Sequence, residues 1–182
     1  MDAENEEGTP RPHRPAKHPA RFVERACLLD DATEQRAADS HLKTVRVGRT
    51  PVGKGVFARR RYACEAVIGE IRGEVIHGYD YGSDYCMDIG DGNVLEPAPP
   101  FRFLNHCCEP NCEFDFFQLP GPGTPDKQVR VFLLAIRDIM PGEELTIDYH
   151  WSAASAIPCR CHAPNCRGWI VDACQLGDIA KR

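Results

Sequence analysis

No stretch of this sequence approaches the roughly 20 consecutive apolar residues that a helix needs to cross a bilayer, so no membrane-spanning helix is expected. The opening run Met1-Asp2-Ala3-Glu4-Asn5-Glu6-Glu7 is acidic and lacks the apolar core of a secretion signal. This predicts an intracellular protein, cytoplasmic, or nuclear if the host is eukaryotic. Basic charge is not in excess either. The formal net charge of −5 argues against nonspecific nucleic-acid binding by the whole chain, although it leaves room for a local basic patch. Regular alternation of strand and helix is missing and no internal repeat is evident, which disfavours a doubly wound parallel sheet and a Rossmann-type cofactor site. At 182 residues the chain has length for one domain with a real core plus tails, and not for two independent units.

What the chain does have is cysteine, ten in all. In a secreted protein these would suggest disulfides. Without an export signal the thiols should be mostly reduced, which shifts the reading toward metal.

Residues 9–21 alternate proline with basic residues and show no apolar period, so an extended or disordered tail is expected. A basic arm contacting an acidic partner is the alternative. Between Phe22 and Leu42, the spacing of Val23, Ala26, Cys27 and Ala32 allows a short helix. From Thr44 onward, short β-rich runs are cut by glycine and proline. Candidate strands are 45–47, 55–58, 66–68, 74–76, 85–89, 94–95, 112–117, 129–136 and 145–149. Turn chemistry separates them at Pro51-Val52-Gly53, Gly90-Asp91-Gly92, Pro120-Gly121-Pro122-Gly123 and Pro141-Gly142. A mainly β body over 44–150 is predicted, with an N-terminal tail over 1–43 and a C-terminal segment over 151–182.

The strongest chemical signal is Cys159-Arg160-Cys161 followed by Cys166. Three soft thiolates suit zinc, which takes four ligands in a tetrahedron about 2.3 Å from each sulfur, so a fourth donor must come from elsewhere. By residue type, Cys107, Cys108, Cys112, Cys174 and His162 are all open, and unmodified thiols remain the alternative to metal. A second dense stretch is Arg102-Phe103-Leu104-Asn105-His106-Cys107-Cys108-Glu109-Pro110-Asn111-Cys112. In isolation, Asn105 and His106 could merely satisfy a turn. A third is Gly142-Glu143-Glu144-Leu145-Thr146-Ile147-Asp148-Tyr149, a strand that ends in a phenol.

Taken in order, Gly53-Lys54-Gly55-Val56-Phe57-Ala58, the Asn105-His106 stretch, the segment ending at Tyr149 and the cysteine cluster resemble the SET-domain lysine methyltransferases, from about Thr44 to Cys166. The resemblance implies a β-clip SET fold in which the last two segments thread through one another in a knot-like arrangement, followed by a small post-SET zinc site. It also implies S-adenosyl-L-methionine as cofactor, held by Lys54, Gly55, Val56, Phe57, Arg102, Asn105, His106 and Tyr149. Trp169 would cover the cofactor from the post-SET segment, with ordinary packing as the other reading. The family pattern puts the fourth zinc ligand at Cys108, beside Cys159, Cys161 and Cys166. Tyr149 would be catalytic, and Tyr85 would line the lysine channel unless it is simply a strand aromatic. The implied partner is a protein or peptide carrying the target lysine, with histone the family expectation.

The sequence departs from the family at Ile71, where an aromatic is usual, at Cys107, which replaces a serine, and at Ile147, where phenylalanine or tyrosine is common. The stretch Pro97-Ala98-Pro99-Pro100 is short and rigid. No cysteine-rich pre-SET module is visible. Ile147 implies room for higher methylation states. The departures also motivate two competing readings, a catalytically degenerate SET-like peptide-binding module and a zinc-stapled scaffold.

Overall fold

Val45 is buried on β1 (Val45–Thr50), which turns through Pro51 and Val52 into β2 (Gly53–Ala58). Gly53 closes that turn at φ 124°, a backbone conformation that a side chain would resist. The computed structural model describes residues 43–78, 81–120 and 127–179. The expected N-terminal tail and the candidate helix before Leu42 lie outside the described residues. The further strands are β3 (Val67–Ile71), β4 (Gly73–His77), β5 (Met87–Gly90), β6 (Asn93–Pro97), β7 (Asn105–His106), β8 (Cys112–Pro120), β9 (Lys127–Ala135), β10 (Glu144–Ile147), β11 (Ile157–Pro158) and β12 (Trp169–Ile170). Among the described residues, helix is confined to short turns and to the single turn Leu176–Ile179 near the C-terminus.

Each of the candidate strands from Thr44 onward overlaps one of these, so the chain is mainly β as expected. Most boundaries differ by a few residues, and two of the differences have clear local reasons. The strand expected over 85–89 begins only at Met87, because the Ser83 hydroxyl captures the N–H groups of Tyr85 and Cys86 in a turn. The strand expected over 145–149 ends at Ile147, because Asp148 is pulled aside by Arg167.

The strands form small sheets in the orders β1-β2-β10-β7, β3-β9-β8, β4-β6-β5 and β11-β12. Alternation along β10 sends Leu145 and Ile147 into the core. There they join Val56, Tyr62, Ile68, Leu133 and Ile139, all buried. Each such side chain contributes about 1.5–3 kcal/mol through removal of apolar surface from water.

The β3-β9-β8 sheet also buries a charge. Glu70 is 5% exposed and receives Arg130 at 2.6 Å and Arg72 at 2.9 Å. Burial alone would raise its carboxyl, but the two guanidinium groups hold it below the usual glutamate range. A carboxyl with a lower pKa in the folded than in the unfolded chain adds stability above its unfolded value, about 4.3. That contribution is lost as pH falls toward the folded pKa. Glu70→Gln should therefore cost about 1–3 kcal/mol at pH 7 by removing the charged acceptor that Arg130 and Arg72 share. In urea denaturation series the gap from wild type should narrow as the pH drops below about 4.

Candidate active site and metal centre

The site is built around β10, which comes late in the chain but lies between β2 and β7. It pairs antiparallel with β2, placing Leu145 opposite Val56, and parallel with β7, placing Thr146 opposite Asn105 and Ile147 opposite His106. Insertion of β10 between two earlier strands brings the two segments that carry the motifs side by side, which the knot-like arrangement implied by the resemblance requires. Asn111, fully buried, extends the pairing with its side chain. Its Nδ2 donates to the Glu144 carbonyl at 2.8 Å, and its Oδ1 accepts the Thr146 N–H at 2.8 Å. No reading of the sequence gave Asn111 this role, although it closes the Asn-His stretch.

On one side of this junction lies a polar shelf. Asn105 Nδ2 donates to the Lys54 carbonyl at 3.0 Å and to Glu144 Oε1 at 2.7 Å. A Cβ on Gly55 would collide with Glu144 Oε1 and come within 3.1 Å of Asn105 Nδ2, so glycine is what lets the amide close onto the backbone here. Val56, next in sequence and opposite Leu145, is fully buried and anchors the shelf to the core. Phe57 lies beneath the Arg46 guanidinium. His106 is buried, and desolvation pulls its imidazole down to about 4 despite the opposing pull of Asp148. The neutral ring accepts the Tyr149 N–H at Nδ1, 3.2 Å away, which places its proton on Nε2. That Nε2 faces Cys108 Sγ at 3.4 Å.

On the other side is a cavity of about 510 Å³ whose lining includes Tyr85, Phe101, Arg102, Leu104, Ile147 and Tyr149. Leu104 precedes Asn105 and Ile147 is the register partner of His106, so shelf and cavity adjoin. The Tyr149 hydroxyl donates to the Leu104 carbonyl at 2.7 Å, and its ring lies 5.4 Å from His106 and 5.2 Å from Trp151. Burial, reinforced by Tyr85 and Glu144, pushes its pKa above the ordinary tyrosine value, so the phenol is neutral at neutral pH. Arg102, expected among the cofactor residues, lies on the cavity wall over the Tyr85 ring. Lys54 directs its Nζ over Phe103. Trp169, on β12 opposite Pro158, does not line the cavity and is 36% exposed.

The cysteines left open by spacing are sorted by the fold. Cys108, Cys159, Cys161 and Cys166 converge with all four sulfurs within 4.8 Å of one another. Cys108 Sγ lies 3.8 Å from Cys159 Sγ and 3.9 Å from Cys166 Sγ. Sulfurs about 2.3 Å from a tetrahedral zinc would stand about 3.8 Å apart. Each sulfur also receives a backbone N–H, from Arg167, Cys161, Cys108 and Gly168 for Cys108, Cys159, Cys161 and Cys166 in turn, at 3.4–3.5 Å. Such donors stabilise thiolate over thiol. At Cys161 burial raises the pKa, yet the N–H groups of Cys108 and Ala163, with the thiols of Cys159 and Cys166, bring it down to about 6, while the thiols of Cys108 and Cys159 are pushed up by burial without a metal. The donor set therefore fits zinc. Cys112 is excluded from it by burial in the core, where its thiol is pushed up to about 12. Cys174 is exposed and outside the group.

Arg167, just past Cys166, makes a two-pronged ion pair with Asp148 at 2.6 and 2.8 Å, so the metal segment is tied to the residue beside Tyr149. Nothing in the sequence pattern signalled this link, because the partners are far apart and neither stands in a charged run.

Comparison with known proteins agrees with this geometry. Histone-lysine N-methyltransferase ash1 of Drosophila melanogaster is 40% identical over 92 residues, 47% of this chain and 4% of its own length. The H3 lysine-4 specific histone-lysine N-methyltransferase of Yarrowia lipolytica is 30% identical over 147 residues, 70% of this chain and 12% of its own. The chain thus spans only a small part of such relatives, between 4% and 15% of their length. Among solved structures, KRYPTONITE in complex with mCHH DNA, H3(1-15) peptide and SAH superposes with a TM-score of 0.60 at 25% identity, covering 69% of this chain and 29% of that one. The SET domain model matches residues 21–150. Because that match takes in most of the chain, the protein belongs to the SET-domain family.

Proposed function

We propose that the protein transfers methyl groups from S-adenosyl-L-methionine to the ε-amine of a lysine in a protein substrate. The observation that carries this reading is the Tyr149 phenol, fixed between the Asn105 and His106 shelf and a cavity of about 510 Å³. When bound, the cofactor supplies an electrophilic methyl on a positively charged sulfur. Lys54, Gly55, Asn105 and the His106 backbone would hold it, with Trp169 above. The partition between shelf and cavity is where the acceptor nitrogen has to approach within about 3–3.5 Å of the methyl.

The chain's own residues account for the rest. Tyr149 has committed its hydroxyl proton to Leu104, so its oxygen lone pairs are available to accept an N–H from the incoming amine. This orients the nitrogen lone pair along the line of attack. Lysine in water carries a proton up to about pH 10.4, and a positive sulfur at the end of the channel disfavours the charged form there. The proton leaves to solvent, and no strong protein base is required. At the cavity wall Asp84, Asp88 and Glu113 favour a cationic acceptor. The histone names of the relatives make chromatin proteins the first substrates to try. We read 44–150 as the SET domain and 151–182 as the post-SET segment and tail. We place the activity inside the cell, in the nucleus of a eukaryotic host. Among the described residues no helix is long and apolar enough to cross a membrane.

The test is incubation of the protein with methyl-labelled cofactor and a lysine-bearing protein panel, read by mass spectrometry. Methylated lysine is the expected product. Tight peptide binding with no transfer would instead favour the degenerate binding module.

Ile147 sets a second expectation. Its side chain is 6% exposed, lines the cavity and carries no hydroxyl to restrain a partly methylated amine. Wild-type protein should reach di- or trimethyllysine with excess cofactor, and Ile147→Tyr should stop largely at monomethyllysine. Strict monomethylation by wild type would contradict this assignment.

A further inference from the structure

Three elements meet at the Glu96 carboxylate. From the loop before β5, the Ser83 hydroxyl donates to Glu96 Oε2 at 2.5 Å while accepting the N–H groups of Tyr85 at 3.1 Å and Cys86 at 3.0 Å. From the helical turn Phe101–Phe103, Arg102 Nη2 lies 3.3 Å from Glu96 Oε1. The Arg102 guanidinium in turn lies over the Tyr85 ring, 4.4 Å from its centroid. Glu96, at the end of β6, is largely buried, whereas Tyr85 is 46% exposed at the cavity wall.

A half-exposed tyrosine on a turn has no packing reason to keep one rotamer. Here its backbone is pinned through Ser83 and its ring is capped by Arg102, and both restraints end on the same carboxylate. The guanidinium is planar and can bond Glu96 while stacking on the ring, which an ammonium cannot reproduce.

We propose that Glu96 is a positioning residue that holds Tyr85 as a wall of the acceptor channel, acting through Ser83 on the loop and through Arg102 on the ring. Arg102 then serves the acceptor rather than the cofactor. This assignment rests on the methyltransferase reading of the cavity.

Glu96→Gln keeps the size and the Ser83 contact but removes the charge that anchors Arg102. With the full chain, S-adenosylmethionine and a lysine peptide, it should raise the KM for the peptide about tenfold, the scale of one lost orienting contact. The kcat should stay within about twofold and the KM for S-adenosylmethionine should not change. Glu96→Asp should recover part of the loss, and Arg102→Lys should match Glu96→Gln. An independent reading comes from 3-fluorotyrosine placed at position 85. Its fluorine resonance in the ligand-free protein should shift or broaden in Glu96→Gln. An unchanged resonance, or a rise in the KM for S-adenosylmethionine equal to that for the peptide, would overturn the proposal. If wild type transfers no methyl, the reading of function fails, and the fluorine spectrum still decides whether the clamp exists.

Discussion

Tyr149→Phe should lower kcat for methyl transfer by about two to three orders of magnitude while leaving affinity for S-adenosylmethionine within a few-fold of wild type. The phenol is placed by three independent contacts: its N–H to His106 Nδ1, its hydroxyl to the Leu104 carbonyl, and its ring between His106 and Trp151. Removing only the oxygen keeps the ring packing and takes away the acceptor that aligns the amine. Leu104 loses a hydrogen bond as well, so the variant should unfold about 1–3 kcal/mol more easily. That is too little to empty the folded state of a domain of ordinary stability. Single-turnover rates with calorimetric affinity separate the two effects. A variant with near wild-type kcat would remove Tyr149 from the chemistry.

Zinc removal should have an effect of similar size by another route. Of residues 151–179 only Ser155 and Val171 are buried, so this segment has little apolar surface of its own to hold it in place. It is tied to the β body by three of its cysteines meeting Cys108 and by the Arg167–Asp148 pair, with smaller contacts from Asp172 to His150, Asn165 to Glu109 and Trp151 to Tyr149. Metal free energies in small cysteine sites reach about 10–16 kcal/mol, and the metal is often what makes such segments fold. Chelation, or Cys159→Ser, should release the segment, expose it to proteolysis and reduce transfer to near background. Metal analysis should give one zinc per chain in the active protein. The β core, whose buried residues supply none of the four sulfurs, should keep its cooperative unfolding. Full activity in a metal-free sample would show that the cluster does not order the site.

How much of this was legible in the sequence depended on range. Strands of the core announced themselves through alternation and through the glycine and proline turns that bound them. β7, β11 and β12 did not, since two residues carry no period and their pairing is decided by distant partners. The Asn105, His106 and Tyr149 motifs were readable as local patterns, and the parallel register of Thr146 with Asn105 explains in physical terms why they must work together. The fourth metal ligand was open among five candidates by residue type and was assigned to Cys108 only by resemblance. The convergence of sulfurs, with a backbone N–H aimed at each, gives that choice a geometric basis. Asn111 and Arg167 stayed invisible because each acts through a contact with a residue remote in sequence, and Glu96 because its links to Arg102 and Ser83 cross between a strand, a turn and a loop and follow no periodic spacing.

The claim beneath all of this is that β7 and β10, joined side by side, create a shelf for a sulfonium cofactor next to a channel for an amine. Titration calorimetry of zinc-loaded protein with S-adenosylmethionine addresses it most directly. One saturable site per chain that is lost in Asn105→Ala and retained in Tyr149→Phe is the predicted result. Absence of binding by folded wild-type protein, or equal binding after Asn105→Ala, would contradict the account.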